Sequence, residues 1–208
     1  MKMARSKGPD PCQLPLIERC WVAGCDPGVD WAMFAKHLTD GNAPTLFNGS
    51  ELIGKATTPA RTCDALDGMA ATFFISGITP CDVVIALEGA WLSPGCNKKQ
   101  TLAYAKRVGW FEMKFSQFGF NVAIVPPAFG KGGGSWKVEQ GVARRDGTQR
   151  MKVATERSGI EMATEHMADA WLLCDWLQRR VHKHLMIGVE VPKCLMNAIK
   201  HLKKGGSE

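Results

Sequence analysis

The sequence predicts an α/β domain in which helices pack on a mixed, five-stranded sheet. Two apolar runs flank an Asp-Pro-Gly turn near the N-terminus, two more of strand length lie at 81–91 and 121–127, and stretches with helical periodicity separate and follow them. Alternation of strands with helices favours a layered α/β structure. The chain has 208 residues, which is enough for one domain with a substantial core and too few to favour two.

The first three predicted strands lie in the N-terminal quarter. Residues 17–25 are mostly apolar and run into Asp26-Pro27-Gly28, a sequence typical of a strand that ends in a turn. Residues 29–36 predict a second strand that can pair with the first as a hairpin. Thr45–Phe47 is a weaker candidate for a short third strand.

The other two strands are more apolar. Within 81–91, Val83 to Leu87 form an unbroken apolar run that suits a central strand buried on both faces, and it closes at Glu88. Residues 121–127 predict the fifth strand, stopped by two prolines. The helical stretches are 63–76, 98–118, 160–184 and 192–204.

The predicted organisation is a basic tail at 1–18, a domain at 19–184, and a C-terminal helix and tail at 185–208. Residues 128–150 are rich in Gly, Lys and Arg, which predicts a basic loop. No run approaches the roughly 20 apolar residues that cross a bilayer, so no membrane partner is expected.

Charge and cysteine usage narrow the class of protein. The net charge of +6 favours a polyanionic partner such as nucleic acid, although a solvated basic surface accounts for it equally well. The eight cysteines include no CxxC pair and no zinc-finger spacing. The N-terminal segment also lacks the apolar core of a signal peptide. We therefore expect reduced thiols and a cytoplasmic protein, in a bacterial or phage-infected cell.

A phosphate-binding loop is nearly present at 49–56. Its last position is Ala56, which has no hydroxyl for Mg²⁺ where the motif needs Ser or Thr, and Pro59 would stop the helix that should follow. The sequence therefore predicts no nucleotide cofactor.

Three acidic residues occupy unusual positions. Asp26 follows an apolar strand, Glu88 closes the most apolar one, and Asp169 lies within an apolar helical stretch where an unpaired carboxylate is costly to bury. A shared divalent cation would offset that cost, because carboxylate oxygens suit Mg²⁺ or Mn²⁺ and two such ions can hold the attacking and leaving oxygens of a phosphodiester.

Each acid also has a simpler interpretation. Asp26 can cap its turn, Glu88 can pair with Lys98 or Lys99, and Asp169 can be exposed. Only the three positions together favour a metal site.

In their order and spacing, these motifs resemble the RuvC family of Holliday-junction resolvases, which have an RNase H-like fold. The resemblance spans roughly residues 19–180 and rests on Asp26-Pro27-Gly28, Glu88, the His166-Met-Ala-Asp169-Ala170 segment, and Val125-Pro126-Pro127 followed by Trp136-Lys137. It implies an RNase H-like mixed sheet and a metal-dependent endonuclease.

The resemblance also implies roles for individual residues. Asp26, Glu88 and Asp169 would hold Mg²⁺, with Mn²⁺ as a substitute, and the fourth ligand would fall on His166. Residues three apart share a helix face, so His166 can reach the same ion as Asp169, and Glu165 remains an alternative. Lys137 would lie near the scissile phosphate.

The expected partner is branched DNA. The helix predicted from residue 98 begins with four hydrogen-bond donors that suit phosphate oxygens: Lys98, Lys99, Gln100 and Thr101. Lys131, Arg144 and Arg145 would also contact DNA, and Trp91 and Trp136 are candidates for stacking on unpaired bases. The resemblance implies a homodimer, for which the helix at 63–76 with Trp110, Phe111 and Phe115 would supply the interface.

The function expected from the sequence is therefore resolution of four-way DNA junctions by two-metal phosphodiester hydrolysis that leaves a 5′ phosphate. Two alternatives remain: a non-catalytic nucleic-acid-binding protein with the same fold, or a nuclease acting on flaps, forks or RNA/DNA hybrids.

Overall fold

The structure is a computed structural model that describes residues 14–39, 54–55, 58–90, 97–127, 135–142 and 146–204. The strands are β1 (Trp21–Asp26), β2 (Asp30–His37), β3 (Gly54–Lys55), β4 (Val83–Glu88) and β5 (Asn121–Val125). The helices are α1 (Leu14–Arg19), α2 (Pro59–Ile75), α3 (Lys98–Gln117), α4 (Trp136–Glu139), α5 (Gly147–Ser158), α6 (Glu165–Ile187) and α7 (Lys193–Lys204).

The sheet is mixed, with the order β3-β2-β1-β4-β5. Strand β1 is central: it pairs antiparallel with β2 and parallel with β4, and β4 pairs parallel with β5. Four strands have full length, whereas β3 is a two-residue segment beside the start of β2. The expected fifth strand is thus reduced to this edge pairing, and the predicted third strand at Thr45–Phe47 lies outside the described residues.

Helices cover both faces of the sheet, which confirms the predicted α/β layers. Side chains alternate between the faces of a strand. Val22, Val84 and Ala86 accordingly join a core formed with α6 and α7, whereas Ala23 and Ile85 join a second core formed with α2 and α3. The central strands β1 and β4 are apolar up to their terminal acids, Asp26 and Glu88, because both of their faces are covered.

Helix α6 approaches β1 unusually closely. A Cβ atom on Gly24 would lie 2.3 Å from the Cys174 backbone nitrogen and 2.4 Å from the Ala170 carbonyl oxygen. Glycine is therefore required in the middle of β1. Because glycine has no side chain, the first turns of α6 can lie directly over the C-terminal end of that strand.

The secondary structure differs from the sequence prediction near both ends of the described residues. Residues expected to begin the first strand at 17 form α1 instead, in which the Cys20 amide donates to the Leu16 carbonyl at helical spacing. Leu16 and Ile17 are buried, so the packed domain begins upstream of residue 19. At the other end, α7 buries Leu195 and Ile199 in the same core as α6 and belongs to the domain as well.

The stretch 128–150 was predicted to be a basic loop, yet it contains α4 and the start of α5. Ser135 and Asp146 cap these helices by accepting hydrogen bonds from the amides of Val138 and Gln149. Such caps allow short helices to form in polar sequence. The helix predicted from residue 160 begins at Glu165, where Thr164 is the N-cap.

Within the described residues, six cysteines are free thiols, and no helix is long and apolar enough to span a membrane.

Candidate metal centre

The C-terminal ends of β1 and β4 bring two carboxylates together. The register pairs Cys25 with Leu87, so the next residues, Asp26 and Glu88, are neighbours. Both share the strand parity of residues that face α6, so their side chains extend beneath that helix. The ends of adjacent parallel strands meet at one sheet edge, which is why acids 62 positions apart in sequence become neighbours.

Asp169 joins them from the second turn of α6. One oxygen from each of Asp26, Glu88 and Asp169 lies within 4.8 Å of the others, and these three residues are the only group of possible metal ligands found among the described residues. Their exposed fractions are 4%, 7% and 5%. We call these residues the acidic trio.

Lys137 lies between two members of the trio. Its Nζ is 3.2 Å from Glu88 Oε1 and 2.9 Å from Asp169 Oδ2. Burial disfavours the ammonium, but the two carboxylates outweigh that cost and raise the pKa of Lys137. The simpler expectation that Glu88 pairs with Lys98 or Lys99 was wrong, because both lysines are exposed and Lys137 is its partner.

Lys137 reaches the trio because the four-residue helix α4 is fixed on α6. The Gln140 amide donates to the Leu172 carbonyl at 2.7 Å and to Asp175 Oδ2 at 3.1 Å. Glu139 accepts a 2.6 Å hydrogen bond from the Trp176 indole. These contacts hold a helix too short to be stable alone. Asp175 itself pairs with Lys36 and Arg179.

Arg150, on α5, is a member of the site that the sequence did not single out. Its Nε lies 2.5 Å from Asp169 Oδ1, and its exposed fraction is 5%. From the sequence alone, Arg150 is one of several basic residues in the stretch 128–150, which was predicted to be a basic loop. The Asp146 cap and Gly159 are signals that could have placed Arg150 in the first turn of a helix, but they do not distinguish it from the other basic residues of that segment.

Asp26 has two further partners. His166 Nδ1 lies 2.7 Å from Asp26 Oδ2, and the Tyr104 hydroxyl donates to Asp26 Oδ1 at 3.3 Å. A Cβ on Gly28 would lie 2.6 Å from the His166 ring, so the glycine of the turn makes room for the imidazole. His166 therefore contacts the trio through Asp26. Glu165 is directed elsewhere, to Arg150 at 3.2 Å.

Burial and charge change the ionisation of these groups. Burial, together with the charges of Asp26 and Asp169, raises the pKa of Glu88 to about 7 despite the opposing effect of Lys137. The hydrogen bond to Asp26 raises the pKa of His166 against the effect of its partial burial. Burial also raises the pKa of Tyr104, which therefore remains a hydroxyl donor.

The expected DNA-binding residues are only partly described. Lys98, Lys99 and Gln100 are exposed at the start of α3, where the Asn97 side chain caps the helix, and Thr101 is half-buried. Beside them is a groove of about 550 Å³ lined by Val29, Gln100, Thr101, Ala103, Tyr104 and Arg107. Because Tyr104 also contacts Asp26, the groove borders the acidic trio. Lys131, Arg144, Arg145 and Trp91 lie outside the described residues.

Two roles assigned to aromatic residues were wrong. Trp136 is fully buried and cannot stack on a base. Phe111 and Phe115 are buried in the core between the sheet and α3, so they are unavailable as interface residues.

Comparison with known proteins gives a distant structural likeness. A Thermus thermophilus RuvC in complex with a Holliday junction substrate superposes with a TM-score of 0.48 and 14% identity, covering 79% of this chain and 94% of that one. A second Thermus thermophilus RuvC structure gives 0.47 and 15%, covering 78% and 94%. Both TM-scores lie below 0.5, so the likeness establishes neither membership of that family nor a shared activity.

No family model matches the sequence, and no curated protein matches it.

Proposed function

We propose that this protein is a metal-dependent nuclease with an RNase H-like fold that hydrolyses phosphodiester bonds of branched DNA, with four-way junctions as its substrate. The observation that carries the proposal is the buried acidic trio, which combines three hard oxygen donors within 4.8 Å at the C-terminal edge of the sheet. Such a donor set suits Mg²⁺ or Mn²⁺.

In this proposal Asp26, Glu88 and Asp169 would hold a divalent ion, which would supply a water nucleophile at neutral pH and neutralise charge on the phosphate. Lys137 contributes an ammonium group beside the reacting phosphate. Tyr104 and His166 contact the two oxygens of Asp26, and His166 would serve as the fourth ligand of the bound ion. The DNA backbone would lie along the adjoining groove, where it would be bound by Lys98, Lys99, Gln100 and Thr101. The cleaved products would carry a 5′ phosphate.

The test is cleavage of a labelled four-way junction with Mg²⁺, with Mn²⁺ and with EDTA. Asp26→Asn, Glu88→Gln and Asp169→Asn should each reduce cleavage by about 10² or more, as does the loss of other preorganised charge stabilisers, yet still bind the junction. Glu161→Gln, which removes an exposed carboxylate just before α6, is the matched control and should cleave normally. Wild-type rates in two of the trio variants would refute the assignment.

One observation favours a second candidate, a nucleic-acid-binding protein without catalysis. Lys137 and Arg150 already contact the trio, so these carboxylates do not require a metal ion in order to be paired. A junction that is shifted in a gel but not cut with either metal would select this candidate. Parallel assays with flaps, forks and RNA/DNA hybrids would establish the preferred substrate of an active enzyme.

A further inference from the structure

Both oxygens of Asp169 are bound by side-chain cations. Arg150 Nε lies 2.5 Å from Oδ1, and Lys137 Nζ lies 2.9 Å from Oδ2. Two-metal nuclease sites place their ions about 4 Å apart, with carboxylates bridging or flanking them. Asp26 also has a partner at each oxygen, the Tyr104 hydroxyl and the His166 imidazole, but Asp169 is the one member of the trio with a lysine or arginine on each oxygen.

The two cations differ in how easily they can leave. Arg150 is 5% exposed, and its guanidinium is held from two sides, since Nε contacts Asp169 and Nη2 lies 3.2 Å from Glu165 Oε2. A planar guanidinium fixed in this way is preorganised. Lys137 Nζ also contacts two carboxylates, Glu88 and Asp169, but it is a single ammonium at the end of a flexible stem, so it can move aside locally when another cation enters.

The charge balance of the site limits the number of ions. With all three acids ionised, the trio carries three negative charges and Lys137 and Arg150 carry two positive ones. One divalent ion brings these groups to a net single positive charge, whereas two ions would leave three positive charges in a buried site. Unbalanced charge in a buried site is strongly unfavourable, so a single ion is favoured.

We infer that the DNA-free protein binds one divalent ion at the acidic trio, through Asp26 and Glu88, and that Arg150 is the residue that excludes a second. This inference rests on the proposed function only in requiring that the trio bind divalent cations. It departs from the two ions expected from the sequence, because the sequence did not indicate that a buried arginine would contact Asp169.

The experiment counts Mn²⁺ ions on the EDTA-stripped, full-length protein, by electron paramagnetic resonance of the free ion and by calorimetry. The wild type should take up one ion per chain and show no spin-coupled Mn²⁺ pair. Arg150→Gln and Arg150→Met should both rise to two ions per chain. Lys152→Gln is the matched control, because Lys152 lies on the same helix with a side chain that is 75% exposed, and it should stay at one.

The outcomes separate this inference from the proposed function. Two ions in the wild type would overturn the inference while leaving a metal-dependent nuclease intact if the junction is cut. One ion in the wild type and in both folded Arg150 variants would overturn the role of Arg150. Absence of uptake by the wild type would overturn both proposals. Circular dichroism of each variant establishes folding, and the wild-type count stands even if an Arg150 variant does not fold.

Discussion

The three acids of the trio are distinguished by the side chains that contact them. Asp26 is bound by a hydroxyl and an imidazole, Glu88 by an ammonium, and Asp169 by an ammonium and a guanidinium. A single substitution in such a network changes the environment of every other member, so its effects are not additive. The effect of substituting one member of the trio therefore depends on both the metal that is bound and the pH.

His166 is predicted to be the fourth ligand and to affect metal preference. His166→Ala should lose most cleavage activity, and His166→Asp should recover it with better use of Mg²⁺, because Mn²⁺ accepts nitrogen more readily than Mg²⁺ does. Glu165→Gln should stay close to the wild type, since Glu165 faces Arg150 with a side chain that is 59% exposed. The reverse pattern, with an inactive Glu165→Gln and an active His166→Ala, would assign the ligand to Glu165.

The same histidine should add an acid limb to the pH profile. Protonated imidazole cannot bind metal, and the pKa of His166 is raised by its hydrogen bond to Asp26. Metal affinity should therefore fall as the pH decreases through that raised pKa, at a higher pH than for a free imidazole. Mn²⁺ affinity measured against pH should show this limb in the wild type and a shift to lower pH in His166→Asp.

Glu88 should make the metal-free protein less stable at high pH. Its folded-state pKa, about 7, exceeds the ordinary value of 4.5, so its contribution is most favourable below pH 4.5 and is lost as the pH rises through 7. In EDTA, the free energy of unfolding of Glu88→Gln minus that of the wild type should increase over this range, by roughly 3 kcal/mol at most. Urea denaturation at several pH values measures it, and a difference independent of pH would contradict it.

At the scale of the element, the start of α3 is predicted to lie along DNA. Replacing Lys98 and Lys99 together by Ala should flatten the dependence of log K on log salt by about 2 units, because each phosphate contact contributes roughly 0.9. Lys193 and Lys200 are exposed on α7, across the sheet from α3, and their double Ala variant is the control. Equal slopes in the wild type and the α3 variant would place the DNA elsewhere.

The elements that sequence could predict are those with strong periodicity. The hydrophobic run of β4 indicated a strand that ends at Glu88, and the Asp-Pro-Gly turn indicated the end of β1 at Asp26. Parallel pairing then brings both acids to one edge. Helix α6 was predicted because its apolar face is long, and Asp169 followed from it.

The elements that sequence missed depend on tertiary contacts. Helices α4 and α5 are short and polar, so their apolar periodicity is weak, and their caps at Ser135 and Asp146 are the local signals that remain. No local pattern indicates that Arg150, among many basic residues, is the one buried on Asp169. Likewise, the fixed position of Lys137 depends on Gln140, which contacts a helix more than 30 residues away.

At the scale of the whole molecule, the two faces of the sheet differ in what they contribute to the candidate site. The acidic trio lies at the edge of the face that α6 covers. Lys137 of α4 and Arg150 of α5 both contact Asp169, the member of the trio on α6. The face covered by α2 and α3 carries a closed aromatic core that includes Phe73, Phe111 and Phe115. Tyr104 and the groove at the start of α3 adjoin the site, whereas exposed side chains such as Phe74 and Ile75, at the C-terminal end of α2, are available to contact another molecule.

The protein is predicted to be a homodimer that uses the outer surface of α2 and α3. A four-way junction presents two symmetric strands, which a two-fold dimer can engage with two sites. Because Phe111 and Phe115 are buried, the large apolar side chains that remain exposed on these two helices are Phe74, Ile75, Leu102 and Met113, with exposed fractions of 54%, 87%, 59% and 50%. Phe74→Glu with Ile75→Glu should give a monomer by sedimentation and convert paired cuts into uncoordinated nicks, whereas Ile187→Glu, at the end of α6, should remain dimeric. A wild type that sediments only as a monomer, even with junction present, would favour a simpler nuclease over a junction resolvase.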